Sequence, residues 1–102
     1  MACKELVIQS DILKYLNGLL NCKAIKVMKA NEEGNPDIFC CYRGTMVVLE
    51  VKDSASSALT ARIKQKRQAM QMEQWKESGA LVYCVWNLEM VKAIIGHTGT
   101  KI

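Results

Sequence analysis

A chain of 102 residues and 11.4 kDa has room for one domain, and with half its residues apolar, 24% charged and a single proline it can bury a core, which excludes a disordered or collagen-like chain. The 14 Lys and Arg against 10 Asp and Glu leave a formal charge of +4 and a pI near 8.9, which permits an anionic partner but falls short of a polybasic tail. The longest apolar run, Ala80 to Trp86, has seven residues against the roughly 20 needed to cross a bilayer, so no membrane span is expected.

In chain order, residues 4–20 read as a helix, because Ile8, Ile12, Leu16 and Leu19 follow a 3.6-residue stripe that Gly18 and Asn21 then loosen. Glu5 lies on that same stripe. Residues 23–29 (KAIKVMK) alternate as a half-buried strand does, and Asn31 to Pro36 is a polar loop. Two short apolar runs, Asp37 to Tyr42 and Met46 to Lys52, flank Arg43 and Gly44, which is a hairpin signal. After a Ser- and Ala-rich stretch from Ser54 to Ala58, a polar helix is predicted over 60–77, with Thr60 as N-cap and Gly79 just past its end. Ala80 to Trp86 reads as a strand buried on both faces, and Asn87 caps a last helix running through Ile95, with a frayed tail from Gly96. The order is α-β-β-β-α-β-α, a mixed α/β domain in which a hairpin meander precedes a strand–helix–strand crossover, all within a single domain over 1–102.

Five cysteines (Cys3, Cys22, Cys40, Cys41 and Cys84) form no C-x-x-C pair, and no apolar stretch with a cleavage site follows the first charged residues. Small buried hydrophobes in a reducing, cytoplasmic setting are expected.

The hairpin makes a sharper claim. A turn centred between Arg43 and Gly44 pairs Tyr42 with Thr45 and, counting outward, sets Asp37 opposite Glu50 with Cβ atoms roughly 4.5 to 5.5 Å apart. Alternation puts Lys52 on the same face, about 7 Å along the strand, while Val47, Leu49 and Val51 point the other way. Two carboxylates at that distance repel by roughly 3 kcal/mol at an effective dielectric near 20, more than twice the energy of one pKa unit. Lys52 offsets part of this, and a divalent cation offsets more; hard Mg²⁺ is held by one or two carboxylates together with substrate phosphate oxygens. Glu5, facing the sheet from the first helix, is a candidate for the same ion, directly or through water. The competing reading of each residue is a solvated hairpin face or, for Glu5, an acid placed to suit the helix dipole.

The string Gly34-Asn35-Pro36-Asp37-Ile38, then Leu49-Glu50-Val51-Lys52, a downstream helix with Gln68 and Gly79 before an apolar strand together resemble the VRR-NUC (virus-type replication-repair nuclease) branch of the PD-(D/E)xK nucleases over nearly the whole chain. The resemblance implies a restriction-endonuclease-like core, a mixed sheet flanked by helices. It also implies that Asp37, Glu50 and the backbone carbonyl of Val51 hold Mg²⁺ or Mn²⁺. Lys52 would orient or help deprotonate the attacking water, Glu5 matches the acid of the first helix, and Gln68 matches the glutamine of the second. Fifteen residues separate Lys52 from Gln68, more than in many relatives, and Gln65 and Gln71 are rivals for that role. Gln68 is preferred because it shares a helical face with Met72 and Trp75.

Arg62, Lys64, Lys66 and Arg67 lie in a stretch without acids, Ser54 to Met72, and could hold a DNA phosphate backbone without reading sequence. Trp75, Trp86, Tyr15 and Tyr83 sit on apolar faces and read as core. The activity implied is a Mg²⁺- or Mn²⁺-dependent DNA endonuclease leaving 5′-phosphate and 3′-hydroxyl ends, in a protein of bacterial or bacteriophage origin. A second apolar stripe, Leu59, Ile63 and Met70, opposite the Gln68 face, suggests a homodimer. Stand-alone relatives are thought to act as dimers on branched DNA such as four-way (Holliday) junctions, the expected substrate here. Alternatives are a non-catalytic nucleic-acid-binding module of the same fold, an assembly protein, or a nuclease acting on other DNA.

Overall fold

The computed structural model describes the backbone of residues 4–101 and the side chains among them except those of 62–64 and 99–101; Cys3 and the side chains of Arg62, Ile63 and Lys64 therefore lie outside the described residues. Eight elements follow one another: α1 Lys4–Asn17, β1 Cys22–Lys26, β2 Ile38–Tyr42, β3 Thr45–Val51, α2 Ala55–Lys64, α3 Lys66–Glu77, β4 Leu81–Val85 and α4 Leu88–Lys101. The strands form one sheet in the order β1-β2-β3-β4, antiparallel across the first two pairings and parallel between β3 and β4. The meander and the crossover are both present, and the crossover carries two helices where one was expected.

The period-2 alternation of β3 assigns the two faces of the sheet. Val47, Leu49 and Val51 point to the side where Ile12 and Leu16 of α1 and Val91 and Ile95 of α4 close over Ile38, Cys40 and Val85. These side chains are almost completely removed from water, and at about 25 cal/mol per Å² of apolar surface their burial is the main source of stability. On the opposite side the ring of Phe39 meets Trp75 of α3 edge-on, 4.8 Å between centroids, and Val48 and Glu50 are buried.

Several boundaries differ from the sequence reading, each for a visible reason. The first helix stops at Asn17 instead of residue 20, because the Asn17 carboxamide pairs with the Ala24 backbone, donating to its carbonyl at 3.0 Å and accepting from its N–H at 2.9 Å. This satisfies backbone groups on the outer edge of β1. The Gly18 N–H closes the last turn onto the Lys14 and Tyr15 carbonyls. β1 covers Cys22–Lys26 and not 23–29: Val27 makes one more bond, to the Asp37 carbonyl at 2.8 Å, and Met28 beyond it is exposed.

The helix expected over 60–77 starts earlier and is broken. Ser54, in extended conformation, accepts from the Ser57 N–H at 3.1 Å, so Ser54 and not Thr60 is the N-cap, and the Ser- and Ala-rich stretch is a capped first turn. The break falls at Gln65 (φ −106°, ψ 74°), which ends α2 and precedes α3. Gly79 does terminate α3: it takes φ +105°, its N–H bonds to the Lys76 carbonyl, and the Ala80 N–H reaches back to Trp75, a Schellman closure. Asn87 caps the last helix by accepting from the Met90 N–H at 2.9 Å. That helix runs on through Gly96 to Lys101 rather than ending at Ile95, since Val91, Ile95 and Thr98 continue a buried stripe. β4 is not buried on both faces. It is the last strand of the sheet, and Leu81 to Cys84 are only half-buried. Among the described residues no helix is long and apolar enough to cross a membrane.

Candidate active site

The two-residue turn at Arg43 and Gly44, both at positive φ (51° and 86°), fixes the hairpin register. Tyr42 faces Thr45 and Ile38 faces Leu49, so the next pair outward is Asp37 and Glu50, as the turn geometry requires. Asp37 Oδ2 accepts from the Val51 N–H at 2.8 Å. The next peptide donates the Lys52 N–H to the Val85 carbonyl at 2.9 Å, so in a trans peptide the Val51 carbonyl points away from β4, toward the Asp37 side. The candidate oxygens Asp37, Glu50 and Val51 C=O thus belong to adjoining strand ends.

Glu50 is the electrostatic centre of the group. It is 2% exposed, and burial, then its hydrogen bond to Asp37 and the Asp37 charge, push its carboxyl up to about 9 despite the nearby Lys52. In the absence of a cation Glu50 therefore keeps its proton at neutral pH. Lys52 Nζ lies 3.9 Å from Glu50 Oε1, and Gln68 Nε2 donates to Glu50 Oε2 at 2.7 Å. Of the three candidate glutamines, Gln68 is the one on the acids: Gln65 is exposed at the helix break, and Gln71 is buried and reaches Glu32 Oε2 at 3.3 Å. The carboxyl of Glu5 is raised, first by burial and then by the charges of Asp37 and Asp53, with Lys52 opposing, which sets the head of α1 beside the group. Gln9, passed over in the sequence, is 4% exposed one turn further along, and its Oε1 has no hydrogen-bond partner among the described residues.

The chemistry of this donor set fits a hard divalent cation: carboxylate and carbonyl oxygens, one carboxyl buried and lacking full charge compensation. Among the described residues no group of three or more His, Cys, Asp or Glu side chains could hold a metal ion. A cation here would draw its remaining ligands from water or a phosphate.

What the sequence did not reveal is how the acids are held against α3. Gly34, at φ +86°, lies so close to that helix that a Cβ would stand 3.1 Å from the backbone of Arg67 and Gln68. Trp75 Nε1 donates to Asn35 Oδ1 at 3.0 Å, and Asn35 Nδ2 donates to the Glu32 carbonyl at 3.1 Å. The Gly-Asn-Pro string is thus a clasp that brings Asp37 and Gln68 to the same place. The signal was in the string, but its partner Trp75 is 40 residues away.

Glu50, Lys52 and Gln68 also line one end of a cleft of about 530 Å³ whose other walls come from α2, α3 and β4. Trp86, expected in the core, lines this cleft and is half-buried, while Tyr15 and Tyr83 pack on the core as expected. Leu59, expected opposite the Gln68 face, lines the same cleft as Gln68, because the break at Gln65 turns α2 independently of α3. Leu59 and Met70 are exposed, at 60% and 51%. Of the four basic candidates, Lys66 and Arg67 are exposed at the start of α3, with Arg67 3.7 Å from Glu33, and the side chains of Arg62 and Lys64 lie outside the described residues. Cys22 and Cys40 sit with their sulfurs 3.4 Å apart without a disulfide, Cys40 buried as expected and Cys41 exposed.

The structure is similar to a solved structure described as a VRR_NUC domain, with a TM-score of 0.76 and 24% sequence identity, covering 94% of this chain and 98% of that one. No protein-family model matches the chain, and no curated protein matches it significantly. The chain has the fold of a VRR-NUC domain, the restriction-endonuclease-like fold that the sequence resemblance implied.

Proposed function

We propose that the protein is a Mg²⁺- or Mn²⁺-dependent DNA endonuclease, with Asp37, Glu50, Lys52 and Gln68 as its catalytic group. The observation that carries this reading is the buried Glu50 carboxyl, hydrogen-bonded to Asp37 and flanked by Lys52 and Gln68 at one end of an open cleft. A structural acid pair has no need of a cleft, and a surface pair has no need of burial. The fold is also that of a domain named for nucleases.

A cation held by Asp37, Glu50 and the Val51 carbonyl, with Glu5 reaching it through water because among the described residues three carboxylates do not come together as direct ligands, would activate a water and stabilise the charge developing on the phosphate and leaving oxygens. The chain's own residues do the rest. The Val51 N–H fixes Oδ2 of Asp37 at the strand end. Gln68 fixes Glu50 through Oε2 and so orients its second oxygen. Lys52, nearly buried beside Glu50, is suited to orienting or deprotonating the attacking water and to meeting a phosphate oxygen. Lys66 and Arg67, with Arg62 and Lys64, offer backbone contacts whose affinity falls steeply with salt.

One small centre of this kind cuts one strand, and the exposed Leu59 and Met70 favour a homodimer acting on branched DNA such as four-way junctions. The test is cleavage of linear, flapped and four-way DNA in Mg²⁺ or Mn²⁺, with mass by light scattering. Cleavage abolished by EDTA and by Asp37→Asn is expected. Full activity in that variant rules out the site, and DNA binding without cleavage by the unaltered protein marks a binding module.

A further inference from the structure

We propose that the cleft beside the acids receives an unpaired nucleobase, that of the nucleotide next to the phosphodiester under attack, with Trp86 as its stacking platform. The inference rests on the nuclease reading above and names what that nuclease selects: a strand unpaired at the point of cleavage.

Three features carry it. The first is size and continuity. The cleft's 530 Å³ falls in the range of about 300 to 1,000 Å³ typical of small-molecule sites, and it shares Glu50, Lys52 and Gln68 with the acid site. A phosphodiester at the acids therefore has its own nucleotide at the mouth of the cleft.

The second is the lining. Trp86 continues the alternation of Val82 and Cys84, away from Leu81 and Val85, which face the core, while Tyr83 packs against the core and also borders the cleft. Met72 faces the cleft from α3, while among its described residues α2 contributes Leu59 and the small side chains of Ala58 and Ala61. An aromatic and a thioether are good partners for the π-face that every base has, whatever its sequence.

The third is charge. Lys52 stands at the acid end and Lys76, beside Glu73, lines the cleft from α3. Glu50 and Glu73 balance these two lysines over the cleft as a whole, so an anionic group is met at Lys52 and at a cation on the acids, while the flat, apolar body lies against Trp86 and Met72, which describes a nucleotide. A paired base enters only after extrusion at a cost of a few kcal/mol, and an unpaired base enters for much less.

The rival occupant is an apolar side chain of a second copy, for which the exposed Leu59 offers a contact. The deciding experiment compares cleavage of one junction-bearing strand with the same strand carrying an abasic residue beside the cut, by the unaltered protein, Trp86→Leu and Trp86→Phe. Removing the base should slow the unaltered protein roughly 5- to 150-fold, the loss that accompanies a missing base–aromatic stack. Trp86→Leu should lose as much on the normal strand and no more on the abasic one, and Trp86→Phe should keep most of the rate. Equal rates on normal and abasic strands sink the inference while leaving the nuclease intact. No cleavage of any DNA in Mg²⁺ or Mn²⁺ sinks both. Trp86 emission that changes with protein concentration alone, and not on adding DNA, assigns the cleft to a second copy and overturns the proposal.

Discussion

The two faces of the sheet, built from alternate residues of the same strands, are finished in opposite ways. Toward α1 and α4 the side chains are aliphatic and sealed, with Val47, Leu49, Val51, Val85 and Val91 at 0–1% exposure. Toward α2 and α3 the covering is partial: an aromatic contact at Phe39 and Trp75 holds one end, a buried acid and a glutamine sit in the middle, and a cleft remains open along β4. The closed face supplies the free energy that lets the open face keep a buried carboxyl whose only hydrogen-bonded company is polar. On that division, stability and chemistry should separate by parity of residue number along β3.

The largest separation is expected at Glu50→Gln. It keeps the shape but removes the ionisable oxygen, so cleavage should fall by roughly 10³-fold or more, an amount comparable with losing several kcal/mol of charge stabilisation. The melting temperature should hold or rise at neutral pH, because a buried acid has been replaced by a neutral amide. Its neighbour Leu49→Ala should do the reverse, costing about 2 to 5 kcal/mol in a denaturant titration through the cavity it leaves, with little change in rate per folded molecule. A large activity loss without destabilisation at Leu49 would break the division.

Next in size is the pH response. A carboxyl raised to about 9 in the folded chain, against 4.5 ordinarily, stabilises the fold fully at low pH and loses that contribution as pH rises through 9. The metal-free protein should therefore melt at progressively lower temperature from about pH 6 to about pH 9, and Mg²⁺, which replaces the proton, should raise the melting temperature more at the alkaline end. A Mg²⁺ shift independent of pH would separate the cation from Glu50. The smallest effect is expected at Trp75→Phe, which keeps the ring against Phe39 and removes the bond to Asn35. A loss of about 1 kcal/mol is expected, together with a fall in cleavage rate, since the clasp aligns Asp37 with Gln68.

How far the sequence sufficed depends on the range of the physics involved. The facing of Asp37 and Glu50 was legible because a two-residue turn sets register and alternation sets face, both local rules. The closing of α3 at Gly79 was legible for the same reason. The break at Gln65 was not, since no glycine or proline marks it and both flanking sequences favour a helix; only the separate packing of α2 and α3 reveals it. Gly96 misled in the other direction, because the buried stripe through Val91, Ile95 and Thr98 outweighs the modest helix penalty of one glycine. The clasp between Asn35 and Trp75 and the placement of Trp86 and Leu59 on the cleft depend on contacts between distant segments, which no periodicity encodes.

The Arg43-Gly44 turn has a consequence at the other end of its strands. Exposed hairpin tips commonly accept insertions, since little packs on them. Here the tip acts as a ruler for chemistry done at the far end: one added residue slips the pairing by a step, moves Asp37 off its station across from Glu50, and turns the strand's aliphatic side chains toward the wrong layer. Variation in length should accordingly be tolerated far better at 28–31, ahead of the clasp residue Glu32, than at this tip, although the tip lies at the opposite end of β2 and β3 from the acids.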